Sequence, residues 1–212
     1  MSPAALELLV LNGVRLKGFA DVDALAASCD ASAEEIEGVL AKLRDRGAVL
    51  HREGRVSGWT LTPAGREEHA RRVAAELVAA GCAPELEGVY HDFLRLNPRL
   101  LATASAWQVR DVGGQTVAND HGDAAYDAGV IAELLQVHAD AERLVDRMAA
   151  CLERFGRYGP RLQAAVAKVK AGDLDWFTRP LIDSYHTVWF ELHEDLLATL
   201  GKERSQESKE LA

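Results

Sequence analysis

Cysteine is scarce: the 212 residues hold three, Cys29, Cys82 and Cys151, far apart and odd in number. They form neither a C-x-x-C zinc signature nor a disulfide framework, so three reduced, packed thiols are expected, as suits a cytoplasmic location. Long apolar runs are missing as well. No stretch approaches the ~18–20 residues that cross a bilayer, no signal-peptide pattern is present, and no membrane partner is expected. Nor is there any excess of positive charge: 24 Lys and Arg stand against 33 Asp and Glu, a formal net charge of −9. Residues 1–80 carry 10 basic and 12 acidic side chains, net −2, and residues 81–212 carry 14 and 21, net −7. Bulk charge therefore cannot hold a nucleic acid, and any such binding must come from a local patch. Catalytic signatures are absent too: no G-x-S-x-G elbow, no P-loop, no dinucleotide glycine pattern and no cysteine beside a histidine. No enzyme, cofactor or resident metal is expected. With 48% hydrophobic and 27% charged residues, the chain is not of the disordered class.

What is present is mostly helical periodicity. Ala4 to Leu11 reads as a short apolar helix, followed by a linker with Gly13 and Gly18. Asp21 caps a second helix, Val22 to Ser28, whose Val22, Leu25 and Ala26 form one stripe. After the turn at residues 29–31, Ser32 and Glu35 make an S-x-x-E capping box, and Ile36, Val39, Leu40 and Leu43 share one face up to Gly47. The period then changes to two. Residues 48–52 and 56–61 read as strands around a tight turn at Glu53-Gly54-Arg55, and Thr62-Pro63 restarts a helix. Helix, helix, helix, hairpin and helix, within about 60 residues, give a helix-turn-helix with a β-hairpin wing.

The run from Leu25 to Arg66, with L-R-D-R-G-A-V (Leu43 to Val49) and L-T-P-A-G-R (Leu61 to Arg66), resembles bacterial winged helix-turn-helix transcriptional regulators of the MarR type. The likeness covers about a third of the chain and implies that fold, with DNA binding and dimerisation as its usual uses. The stretch W-F-T-R-P-L-I-D-S-Y-H-T-V-W-F-E-L-H-E-D-L-L also resembles a domain found after such winged helices in regulators of high-GC bacteria, and it supplies no ligand.

From Glu67 onward the expectation is helix throughout. Helices run to about Ala80, from Pro84 to Leu96, and on past a break at Asn97-Pro98 to about Val109. Asp111 to Gly122 reads as a polar glycine-bearing loop. Asp123 caps a long helix to about Phe155 with a stripe from Val130 to Leu152, a helix to Ala171 follows, and the last runs from about Arg179 to Leu200. No internal repeat is evident. The expected organisation is a winged helix-turn-helix over residues 1–80, an all-helical dimerisation or effector domain over 81–200, and a flexible tail over 201–212.

Candidate DNA contacts follow from what a groove requires: polar groups near base edges and cations near phosphates. They are Ser32 at a helix start, Lys42, Arg44 and Arg46 at the end of the third helix, and Arg52 and Arg55 at the wing tip. Ser32 is equally read as a plain cap, and the third-helix cations as a solvated end that complements the dipole. The outward residues Glu34, Glu37, Gly38, Ala41, Lys42 and Asp45 are half acidic, which opposes phosphate contact.

In the second half, residues 175–190 hold five of the chain's 13 aromatic side chains. Trp107, Tyr158, Trp176, Arg179, Tyr185, His186 and Trp189 are the candidate effector pocket, with Arg161 or Arg179 facing an acidic ligand. Read without a ligand, the rings are core or a dimer interface. His91, His121, His186 and His193 raise a metal site, but the i, i+4 pairing of H-E-x-x-H is absent. The expected function is a cytoplasmic, homodimeric regulator that binds double-stranded DNA and responds to a small-molecule effector. The alternatives are a winged-helix protein-interaction module with a helical scaffold, or a histidine and carboxylate metal sensor.

Overall fold

The computed structural model describes residues 2–55 and 57–207, apart from the Gln206 side chain, and these fall into two units, residues 2–83 with 193–207 and residues 84–192. The protein is mainly helical, with nine α-helices among the described residues and a two-stranded hairpin in its N-terminal part.

In the first unit, polar side chains start the helices α1 (Pro3–Lys17), α2 (Val22–Cys29), α3 (Ala33–Asp45) and α4 (Pro63–Ala80). Ser2, Asp21, Ser32 and Thr62 accept the backbone N–H of Ala5, Ala24, Glu35 and Gly65 at 3.2, 2.7, 3.2 and 3.0 Å. Each relieves an orphan donor of the first turn. The stripe expected on α3 is inside: Ile36, Leu40 and Leu43 are fully buried and join Leu11 and Leu25 in an aliphatic core. Helix α1 is longer than the sequence suggests, because it continues through Gly13, which is buried against Leu25 of α2.

The hairpin pairs β1 (Val49–Arg52) with β2 (Gly58–Leu61), Val49 opposite Leu61 and Arg52 opposite Gly58. The described part of the second strand begins at Gly58, and the expected strand start at Val56 lies outside the described residues. Ala20 pairs with Trp59 through two backbone hydrogen bonds, of 3.0 and 2.8 Å, which fix the hairpin to the entry of α2. Gly65 fixes its other end to α4: a Cβ there would sit 1.9 Å from the Ala48 carbonyl oxygen, so only glycine allows this approach.

Residues 193–200, the last turns of α9 (Tyr185–Leu200), also belong to this unit. The Asn12 amide donates to Asp195 at 2.7 Å and its oxygen meets the His69 Nε2 at 2.9 Å, a buried polar chain linking α1, α4 and α9. Burial of such groups is tolerated because each has a partner. Of the expected tail, residues 204–206 form a 3-10 turn and residues 208–212 lie outside the described residues. Cys29 is a buried thiol, whereas Cys82 and Cys151 are disulfide-bonded, which corrects the expectation of three reduced thiols.

The second unit holds α5 (Ala83–Gln108), β3 (Val109–Val112), β4 (Gln115–Ala118), α6 (Ala124–Cys151), α7 (Tyr158–Lys170), the single turn α8 (Asp175–Thr178) and the first half of α9. It is not all-helical, and the expected loop at 111–122 is corrected. Val112 pairs with Gln115, leaving Gly113-Gly114 as a two-residue turn with both φ positive, 62° and 84°. That is the chemistry of a tight hairpin, which the polar composition of the segment masked. The break expected at Pro98 is also corrected: α5 runs through it, since Leu94, Leu96 and Leu100 are buried on both sides. Their burial outweighs the roughly 3 kcal/mol that an interior proline costs. The stripe on α6 is as expected, Leu134, Val137, Ala141 and Met148 being fully buried. The last helix begins at Tyr185, six residues later than the periodicity suggested.

Candidate nucleic-acid interface

The six residues singled out for DNA contact have different local roles. Ser32 and Glu35 form a complete capping box: the Glu35 carboxylate accepts the Ser32 backbone N–H and hydroxyl, both at 2.9 Å. These bonds hold the Glu35 carboxyl below its ordinary range. Arg46, at the end of α3, is tied down. It donates to Glu7 at 3.1 Å and Glu68 at 3.3 Å, and Arg72 completes the cluster on the same two carboxylates. Although partial burial opposes ionisation of Glu7, the two guanidiniums hold its carboxyl low.

Lys42, Arg44, Arg52 and Arg55 are exposed. Among the described residues Arg44 pairs with its neighbour Asp45 at 3.3 Å, an exposed pair worth about 0–1 kcal/mol. Arg52 ends β1 and Arg55 sits in the loop beyond, where the Ser57 hydroxyl closes the turn on Gly54 at 3.2 Å. Two cations are thus carried on a hairpin held by Ala20 and Gly65, and two more lie on the last turns of α3. The outer side of α3 has Glu34, Glu37, Gly38 and Asp45 exposed, as the sequence suggested. A groove of about 440 Å³ between α1 and α3 is lined by Glu7, Asp30, Glu35, Gly38 and Lys42, so it carries more acid than base.

The candidate effector residues are distributed among separate contacts in the second unit. Trp107 is buried between His121 and Phe177, with ring centroids 4.4 and 5.0 Å away. Trp189 stacks on Phe93 at 4.5 Å and donates its indole N–H to Asn97 at 2.9 Å. Tyr185 is fully buried, its ring edge-on to His138, and burial pushes its phenol above the ordinary value. Tyr158 is buried beside Phe155, Lys168 lies over half-buried Trp176, and exposed Arg179 pairs with Asp175. His186 is half-buried, and burial lowers its pKa. Arg161 meets acids of its own chain: it grips Asp183 at 2.8 and 2.9 Å and Glu191 at 2.6 Å. Burial opposes its charge, but the two carboxylates hold it above the ordinary guanidinium value.

Three of the four histidines raised as metal ligands each have an acidic neighbour of their own. His91 faces Glu87 at 3.5 Å, the His121 Nδ1 faces Asp127 at 2.9 Å, and His193 pairs with Glu207. No group of three His, Cys, Asp or Glu side chains suited to an ion occurs among the described residues. Sequence reasoning missed four arginines on α5 and α6, Arg95, Arg99, Arg143 and Arg147, which line one groove. The signal that would have found them is a repeat, D-x-x-R-L-x-x-R, at residues 92–99 and again at 140–147. Comparison with family models, curated proteins and solved structures gives no match for this chain.

Proposed function

We propose that the chain is a DNA-binding transcriptional regulator whose first unit is a winged helix-turn-helix of the MarR type. The observation that carries this reading is the placement of Lys42 and Arg44 at the end of α3 and of Arg52 and Arg55 on the anchored hairpin, all exposed in a strongly acidic chain. In this reading α3 enters the major groove, Gly38 and Ala41 permit close approach, and the hairpin cations meet phosphates or the minor groove. Four cations neutralise few phosphates, so the reading requires a homodimer on a two-fold operator to reach useful affinity. A small-molecule effector would act by changing the separation of the two recognition helices. A cytoplasmic location belongs to the same proposal, and the disulfide-bonded Cys82 and Cys151 weigh against it.

A second reading, a protein-interaction module, is favoured by the acidic outer side of α3 and by the engagement of Arg46 with Glu7 and Glu68. Titration of labelled duplexes from the gene's own upstream region at rising salt separates the two. A regulator loses affinity linearly on a log–log plot, with a slope near −0.9 per phosphate neutralised. Absence of duplex binding at low salt gives the second reading the case.

A further inference from the structure

The second unit contains an internal repeat that its ion pairs convert into a two-ended groove. Offset by 48 positions, residues 85–99 of α5 and 133–147 of α6 share the pattern E-L-x-x-V-x-x-D-x-x-R-L-x-x-R. The match extends to burial: Leu96 and Leu144 are each 6% exposed, and the Leu and Val positions before them lie in the core of both helices. The two copies run antiparallel, because Asp92 meets Arg147 while Asp140 meets Arg99 at 3.1 Å. Each aspartate also binds the arginine three residues on in its own helix, Arg95 or Arg143. A quasi-two-fold axis therefore relates the two ends of one groove of about 390 Å³, with Leu96 and Leu144 lining it between them.

Charge in this groove is not matched one to one. The end formed by Arg95, Arg147 and Asp92 has one guanidinium in excess, whereas at the other end Arg99 and Arg143 meet Asp140 and, at the rim, Glu133, in a chain of net charge −9. An ion-pair lattice built only for stability gains nothing from the surplus, since like charges repel and exposed pairs contribute little. Arg95, Arg143 and Arg147 each engage one guanidinium nitrogen on the aspartates, and their side chains are 69%, 71% and 52% exposed. Most of their donors thus face outward in the fork geometry that suits oxyanions. The hydrogen bond from Arg147 holds the Asp92 carboxyl below its ordinary range, so that end keeps its arginines aligned near neutral pH. Glu133 takes one nitrogen of Arg99 at 2.8 Å at the rim, the one departure from equivalence that these ion pairs make. Seven residues of helix separate the two ends, about 10 Å by helical rise.

We propose that this groove binds an elongated small-molecule dianion, with an oxyanion at each end about 10 Å apart and an apolar middle over the two leucines. The groove lies at the lower end of the size range for small-molecule sites, and the site stands independently of any DNA binding. Titration calorimetry of the full chain with two series of probes, α,ω-alkane bisphosphonates and α,ω-dicarboxylates of graded length, tests it and separates the two oxyanion sources. The expected result is one-to-one binding that peaks at one length, weakens with salt, and falls about tenfold or more when either end is neutralised. Neutralising either end, Arg95→Gln with Arg147→Gln or Arg99→Gln with Arg143→Gln, should weaken binding, the first pair more because Glu133 already engages Arg99, and Arg71→Gln, outside the groove, should cost none. Arg143→Lys keeps the charge but loses the fork, so it should weaken binding with the thermal midpoint unchanged, which decides the matter if the glutamine variants do not fold. No binding of either series, binding without length preference, or binding that folded groove variants retain would overturn the proposal.

Discussion

The first unit buries aliphatic side chains, whereas the second buries rings. Among the described residues of the first, neither Phe19 nor Trp59 is fully inside, and the core is Leu, Ile, Val, Ala and Cys. The second encloses Tyr90, Phe93, Trp107, Phe155, Tyr158, Phe177, Tyr185 and Trp189. In the first unit elements pack closely at two glycines, Gly13 against the Leu25 side chain and Gly65 against the Ala48 backbone. In the second unit the rings pack among helices of 26 and 28 residues and the shorter elements that follow them.

The sharpest way to break this contrast is one methyl group in each unit. Gly65→Ala in the first forces a Cβ against the Ala48 carbonyl and should cost about 3 kcal/mol in urea unfolding. Gly88→Ala in the second meets nothing within 4 Å on an exposed position of α5 and should add up to about 1 kcal/mol. Equal effects at the two sites would mean that the first unit is not close-packed at the hairpin. Next in size, Ser32→Ala removes a capping box and should cost about 1 kcal/mol, a loss that Glu35→Gln only partly reproduces because an amide oxygen still accepts. Arg46→Gln should cost about 0.5–1 kcal/mol of stability, as expected of an exposed network around Glu7 and Glu68.

Smallest is a pH effect. His186 titrates below its ordinary 6.5 because burial disfavours the cation, and the same burial lowers His193 despite its Glu207 partner. The unfolded chain therefore binds protons that the folded one refuses. Their stability contribution is full above pH 6.5 and declines as pH falls through the window beneath. Thermal midpoints at pH 7.5 and 5.5 should show a lower value at pH 5.5, less so in His186→Asn. A midpoint that rises on acidification contradicts the assignment.

Local chemistry made the first unit legible. The caps at Asp21, Ser32 and Thr62, the stripe from Ile36 to Leu43 and the alternation after Gly47 are all short-range signals, and each corresponds to an observed element. The misses were tertiary. Gly13 read as a linker because its neighbour Leu25 is twelve residues away, and Pro98 read as a break because its flanking leucines are held by packing. The engagement of Arg46 with Glu7 and Glu68 spans 39 and 22 residues, beyond any local pattern. The Gly113-Gly114 hairpin and the 15-residue repeat at an offset of 48 are both written in the sequence. Polar composition obscured the first, and only the crossed ion pairs of Asp92 and Asp140 give the second a meaning.

The most direct test of the nucleic-acid reading compares cations within the first unit. Binding of an upstream duplex is followed by fluorescence anisotropy across salt for the parent chain, for Arg52→Gln with Arg55→Gln, and for Arg46→Gln. The account predicts that the hairpin pair weakens binding and makes the log–log salt slope shallower by about 2 per chain, while Arg46→Gln leaves the slope unchanged. A slope that Arg46→Gln alters and the hairpin variants leave intact would contradict it.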